Sequence, residues 1–220
     1  LGIMPWDFPF WQVFRFAVPA VMAGNTVLLK HASNVPGCAL AIERLFHEAG
    51  FAQGVFKTLL LSNGRMEPII DDKRIKGISL TGSTHVGKEV ARLASKHLKK
   101  CVFELGGSDP YIILGDADIP HAVDKCVEGR LINTGQSCIA AKRFIVVDTV
   151  YDRFEALFVE KMQAAKMGDP FDTSNQLGPL ARMNIREDLH KQVTRSVDLG
   201  AKLLCGGQFP EGDGYFYPAT

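Results

Sequence analysis

Short apolar runs alternate with longer segments of helical periodicity from Thr26 onward. The pattern predicts strands over residues 26–29, 55–61, 75–80 and 101–105. Helices are predicted between them, over 37–49, 66–71 and 84–96. Strands that are apolar throughout, joined by helical crossovers, imply a parallel sheet covered on both faces. After Gly107 the rhythm restarts with a strand at 111–114, a helix opened by Asp116 or Asp118, and an irregular stretch at 133–138. A strand at 144–147, an amphipathic helix at 151–165, a turn at 168–170, a helix at 185–199 and a strand at 202–205 complete the series. The fold class is therefore α/β, in two pieces spanning 1–107 and 108–220. Ahead of the first strand, Asp7 is placed to cap a helix with Pro9 in its first turn.

Composition narrows the function classes. The 220 residues are 46% hydrophobic and 22% charged, which excludes a disordered chain and a multi-span membrane protein. Twenty-five basic residues against 24 acidic ones leave a net charge of +1 and no field to draw in nucleic acid or an anionic membrane. Small molecules are the expected partners. The five cysteines are scattered without a C-x-x-C pair, which favours reduced thiols and a cytoplasmic setting. Residues 1–24 are apolar, but they lack a basic start and contain Asp7, Arg15 and three prolines. They suit neither a signal segment nor a spanning helix. The six histidines show no metal spacing, and no G-x-S-x-G is present. No metal site is expected.

Four places carry candidate chemistry. Residues 81–89 follow a predicted strand and open a helix, a position where backbone N–H groups and the helix dipole favour phosphate. The run nearly matches G-x-x-x-x-G-K-[ST], but Glu89 stands where that motif needs a magnesium-binding hydroxyl, so an NTPase is disfavoured. A capped strand-to-helix turn explains it equally well. Glu104 lies in an apolar strand, where desolvation would raise its pKa towards that of a general base. A buried glutamate bonded to backbone amides of the following glycines is the alternative. Cys138 follows the polar run Asn133-Thr134-Gly135-Gln136-Ser137, and a helix starting there would stabilise its thiolate. Cys101, Cys126 and Cys205 fit as small apolar side chains. Lys30 ends a buried strand at the edge where open α/β sheets bind ligands, with a solvated lysine as the alternative.

Taken in order, P-W-D-F-P, L-L-K-H-A-S, L-T-G-S-T-H-V-G, E-L-G-G-S-D-P and N-T-G-Q-S-C resemble the aldehyde dehydrogenase superfamily. The wording around L-L-K-H-A and E-L-G-G-S-D-P is closest to bacterial succinate-semialdehyde dehydrogenases. Glu104 and Cys138 stand 34 positions apart, as the family's base and nucleophile do. The resemblance implies a Rossmann-like NAD(P)-binding domain through residue 107, then part of a catalytic domain bearing Cys138. It implies aldehyde oxidation to a carboxylic acid through a cysteine thioester, with Glu104 activating water. NAD or NADP would be held by Trp6, Lys30, Ser33, Gly82, Ser83 and Leu105, with Lys30 on the adenosine ribose and Ser83 near the pyrophosphate. Family members are homodimers or homotetramers.

Two departures bear on this picture. Many NAD-preferring members carry Glu at the position of Ser33, and serine removes the repulsion of a 2′-phosphate, so NADP is expected to be tolerated. The family has Asn at the position of Asp7, where its amide helps the nucleophile's N–H bind the oxyanion. An ionised Asp is acceptor-only. Losing one such donor costs roughly 3 to 4 kcal/mol. An impaired enzyme, or a non-catalytic cofactor-binding or assembly fragment, is the alternative reading. Arg130 is a loose candidate for a substrate carboxylate, with a surface ion pair as the plainer role. The family's E-x-F-G-P segment has no counterpart before Thr220, so the chain is expected to be a central piece of a longer protein.

Overall fold

The computed structural model describes residues 1–220, which group into two compact units, Leu1–Gly106 and Gly107–Thr220. The first runs β1 (Gly2–Met4), α1 (Trp11–Met22), β2 (Val27–His31), α2 (Pro36–Glu48), β3 (Phe56–Thr58), α3 (Glu67–Asp71), β4 (Gly77–Thr81), α4 (Thr84–Ser95) and β5 (Lys100–Glu104). All five strands are parallel, in the order β3-β2-β1-β4-β5. Strand order therefore reverses at β1, the arrangement whose carboxyl-end crevice binds ligands in open α/β sheets. The predicted parallel α/β class is what the chain adopts.

Alternation along β1 divides the core. Met4 joins Val13, Ala17, Leu29, Ile42 and Phe56 on the face covered by α1 and α2. Ile3 joins Ile70, Ile78, Leu80, Val90 and Leu93 on the face covered by α3 and α4. The strand period of two makes both faces of this central strand apolar. At Gly2 the Phe16 ring occupies the place of a side chain: a Cβ would lie 2.2 Å from Phe16 Cζ. Only glycine lets helix and strand approach this closely.

The second unit has a parallel pair, β6 (Asp109–Ile113) and β7 (Ala141–Val146), with helices α5 (Ile119–Leu131), α6 (Asp148–Ala164) and α7 (Met183–Asp198). Asp118, rather than Asp116, caps α5 by accepting from the His121 N–H at 3.2 Å. Ile113, Ile119, Val123, Cys126 and Phe154 form its core. Cys126 thus packs as a small apolar residue.

Several expectations need correcting. The central strand β1 was not anticipated, because three apolar residues ahead of Pro5 carry too little periodicity to announce a strand. The predicted strand at 55–61 shortens to Phe56–Thr58, an edge strand paired only with β2. Residues 202–205 are not a strand, since no neighbouring backbone pairs with them. Asp7 is not a helix cap either. Helix α1 starts at Trp11 without any side-chain cap, and Phe8 O already accepts the Gln12 N–H at 3.0 Å. No helix is long and apolar enough to cross a membrane.

Candidate active site

In the first unit the candidate residues gather at one end of the sheet. Trp6 and Asp7 follow β1, Lys30 and Ser33 lie at and beyond the end of β2, Gly82 and Ser83 follow β4, and Glu104 and Leu105 close β5. Parallel register brings these ends level: Ile3 faces both Lys30 and Leu80, and Thr81 faces Glu104. A set dispersed over a hundred positions thereby becomes one carboxyl edge.

Lys30 is not a solvated lysine. It is 6% exposed and its ammonium donates to Asn63 Oδ1 at 2.5 Å. Burial pulls its pKa down. His31, one residue on, is a positioning residue that the sequence did not reveal. Its Nε2 lies 2.9 Å from Pro9 O, and its Nδ1 lies 3.0 Å from the Ala32 N and 3.2 Å from Met4 O. The imidazole ties the Pro5–Pro9 turn to β2, and burial lowers its pKa against the raising pull of the two carbonyls, favouring the neutral form. Asp7 sits on the tethered turn. It is half-buried, and this burial pushes its carboxyl pKa up despite backbone hydrogen bonds that act the other way.

The segment after β4 forms a capped turn. Ser83 Oγ accepts from the Val86 N–H at 3.3 Å, and the Gly82 N–H donates to Glu104 O at 3.0 Å. Gly87 allows α4 to approach Leu105, whose Cδ2 would stand 2.8 Å from a Cβ there. Glu89, the residue that spoils the P-loop pattern, pairs with Arg92 at 3.1 Å. Glu104 differs from its expected burial: its side chain is 58% exposed, with Arg15 Nη2 at 3.8 Å. Strand β5 lies at the sheet's edge and alternates in exposure, so the desolvation inferred from its apolar neighbours is missing.

In the second unit Cys138 is half-buried in the loop between the 3₁₀ turn Ile132–Gly135 and β7. The expected helix N-terminus is not there, because the chain continues into a strand paired with β6. Asn133, Thr134 and Gly135 all adopt positive φ (50°, 58° and 74°). For the β-branched Thr134 this costs roughly 1–2 kcal/mol. Compensating contacts come from the same run: Thr134 Oγ1 accepts from the Gly178 N–H at 3.1 Å and Gln136 Oε1 from the Ala181 N–H at 2.9 Å. Gly107 packs beside this loop, where a Cβ would approach Cys138 O to 3.8 Å.

Two cations brace the loop. Arg130 donates from Nη1 to Ala141 O and from Nη2 to Gly135 O, both at 2.7 Å. This corrects both sequence-based roles, since the fork is committed to backbone rather than to a substrate carboxylate or an ion pair. Lys142, which the sequence did not single out, donates from Nζ to Ser137 O (3.2 Å), Cys138 O (3.0 Å) and Ala140 O (3.0 Å).

A parallel sheet whose strand order reverses at β1, with polar residues collected along its carboxyl edge, followed by a unit presenting a braced cysteine, defines an α/β protein of the doubly wound type. The aldehyde dehydrogenase family matches residues 1–220. The chain belongs to that family. It is 52% identical over all 220 residues to an aldehyde dehydrogenase of Paenarthrobacter nicotinovorans, covering 48% of that protein. It is 50% identical over the same span to a succinate semialdehyde dehydrogenase of Escherichia coli (strain K12), named for NAD(P)+, again covering 48%. Among solved structures, a succinic semialdehyde dehydrogenase from Streptococcus pyogenes in complex with NADP+ superposes with a TM-score of 0.96 at 40% identity. That match covers 99% of this chain and 48% of the other. The chain thus spans about half the length of the relatives it matches.

Proposed function

We propose that the protein oxidises an aldehyde, with succinate semialdehyde as the substrate, to the carboxylic acid using NAD+ or NADP+. The observation that carries this reading is the family match over residues 1–220, with half-identical relatives named for that substrate. In this reading the Cys138 thiolate bonds to the carbonyl carbon, and the C=O π pair moves onto oxygen. The Cys138 N–H receives that oxyanion, while Asp7 holds the place of the family's second donor. Collapse of the oxyanion expels hydride and leaves Cys138 acylated as a thioester. Water then adds to the thioester as Glu104 takes its proton, and the thiolate departs.

The first unit's residues fit an anionic dinucleotide. Lys30 supplies a buried ammonium, Ser83 and the amide end of α4 suit phosphate, and the exposed Ser33 places no charge against a 2′-phosphate. When bound, the cofactor supplies the hydride acceptor. Trp6, Gly82 and Leu105 would border it along the same edge.

Burial raises the Asp7 pKa, which extends upward the acidic range over which its carboxyl keeps an O–H to donate. An ionised Asp7 favours the second reading, a cofactor-binding module without turnover. Aldehyde-dependent formation of reduced nicotinamide, measured in the whole protein and in Cys138→Ala, tests the choice. Turnover abolished by the substitution is expected, and turnover surviving it overturns the nucleophile. Complete failure of a thiol-reactive aldehyde probe to label the wild type favours the binding module.

A further inference from the structure

The bracing of the Cys138 loop has a directional consequence. Pairing between β6 and β7 sets Asp109 against Ala141 and Pro110 against Arg143, leaving Lys142 as an extra residue at an irregularity in the ladder. Pro110 has no N–H to offer the ladder at that point. Such bulges re-aim a side chain, and this one sends the Lys142 ammonium back over its own loop, within 3.2 Å of the Ser137, Cys138 and Ala140 carbonyls. The Ser137–Cys138 peptide is trans, so its N–H points opposite to its C=O. An ammonium fixed on the Ser137 carbonyl therefore fixes the direction of the Cys138 N–H. Ala140 N–H also reaches Ser137 O, at 3.2 Å, but it belongs to the same loop and moves with it. The buried Ser137 hydroxyl bonds to no group in the chain and takes no part in the brace.

We infer that Lys142 is a positioning residue for the oxyanion-binding peptide: holding three loop carbonyls on its ammonium, it turns the Cys138 N–H towards the opposite side, where the substrate oxygen gains charge. The inference rests on the proposed role of Cys138 as nucleophile. A cation on the carbonyl side also polarises the peptide and strengthens its N–H as a donor. Lys142 touches backbone only, so its effect on the reaction passes through that peptide. Burial and then Arg130 pull its pKa down, while Asp109 and Cys138 favour its charge.

The test compares two reactions of one thiol in the whole protein. Aldehyde oxidation needs the oxyanion donor, whereas alkylation of Cys138 by iodoacetamide displaces iodide at saturated carbon and develops no oxyanion. Lys142→Met keeps the side-chain length without donors or charge. Its kcat is expected to fall about 10- to 100-fold, part of the full loss on deleting an oxyanion donor, with KM within about threefold. Alkylation, compared at pH values where each rate has levelled off, should stay within about threefold. Parallel loss of both reactions, or unchanged turnover, overturns the inference. Cys138→Ala is assayed alongside. If turnover survives it, the nucleophile reading fails and takes this inference with it; if turnover vanishes while Lys142→Met stays fully active, only the role of Lys142 fails. Should the Met variant not fold, Lys142→Gln enters the same pair of assays and is judged by the same outcomes.

Discussion

Replacing Arg130 by Met isolates what the guanidinium does for the Cys138 loop. The native fork closes residues 135–141 from one side, with Nη1 on Ala141 O and Nη2 on Gly135 O, each at 2.7 Å. A hydrogen bond to a charged group contributes about 1.5–3 kcal/mol. Methionine retains much of the stem's packing, and the loop is partly open, so water compensates some of the loss. A net cost of about 2–4 kcal/mol to keeping the loop closed follows. The amides that report it are Gln136, bonded to Asn133 O at 3.0 Å, and Ala140, bonded to Ser137 O at 3.2 Å. At 1.36 kcal/mol per decade, their hydrogen exchange in the whole protein should accelerate about 30- to 1,000-fold, while amides in β1 and β4 are unaffected. Arg130→Lys keeps the charge but cannot span both carbonyls, and should fall between the two. Exchange unchanged within about threefold refutes the clamp. A raised KM for a carboxylate-bearing aldehyde with unchanged exchange would return Arg130 to substrate binding.

Three other substitutions probe the first unit. His31 is buried neutral with its pKa lowered below the ordinary 6.5. As pH drops below about 6.5 the unfolded chain takes up a proton that the folded chain resists, so stability falls with acidification down to the folded-state pKa. His31→Gln should flatten that stretch of the stability–pH curve, and an unchanged slope refutes the assignment. Asp7 has the opposite sign. Its carboxyl is raised above 3.8 by burial, so the folded state holds the proton longer and stability declines as pH rises from about 4 through the folded-state pKa. Asp7→Asn should abolish that decline and raise kcat at pH 8 by about 100-fold, the worth of one oxyanion donor, and no gain in turnover sinks the argument. Ser33→Glu should weaken NADP+ binding about tenfold at low salt and spare NAD+, measured by titration calorimetry. Equal effects on both cofactors would place Ser33 away from the 2′-phosphate.

The parallel α/β character was legible because β2, β4 and β5 are short, largely apolar runs separated by helical segments, with Gly50 following α2 and Ser83 capping α4. The centre of the sheet was not. Its strand is three residues long, and its importance exists only in register, where Gly2 faces Leu29 on one side and Ser79 on the other. Periodicity measures what one segment repeats, and three residues repeat nothing. The misread segment at 202–205 shows the complementary failure. Its apolar residues have strand character, but a strand is a relation to a neighbour, and none of these residues pairs with another backbone.

The same distinction runs through the candidate site. Cys138, Glu104 and Lys30 were candidates by residue type and position, each beside a structural alternative, whereas the place of Asp7 in the site came from the family resemblance. Their environments were not legible, because burial depends on position in the sheet. Lys30 on interior strand β2 is enclosed, whereas Glu104 on edge strand β5 is open. His31, Arg130 and Lys142 escaped correct reading for a further reason: each bonds to backbone carbonyls, and every residue type supplies a carbonyl. In N-T-G-Q-S-C, Thr134 and Gln136 hold residues 178–181, and glycine supplies positive φ. Most of that motif is therefore occupied in holding a strained turn. The Ser137 hydroxyl and the Cys138 thiol are left over from that work, and the carbonyls of both residues are held from beyond the motif's limits by Lys142.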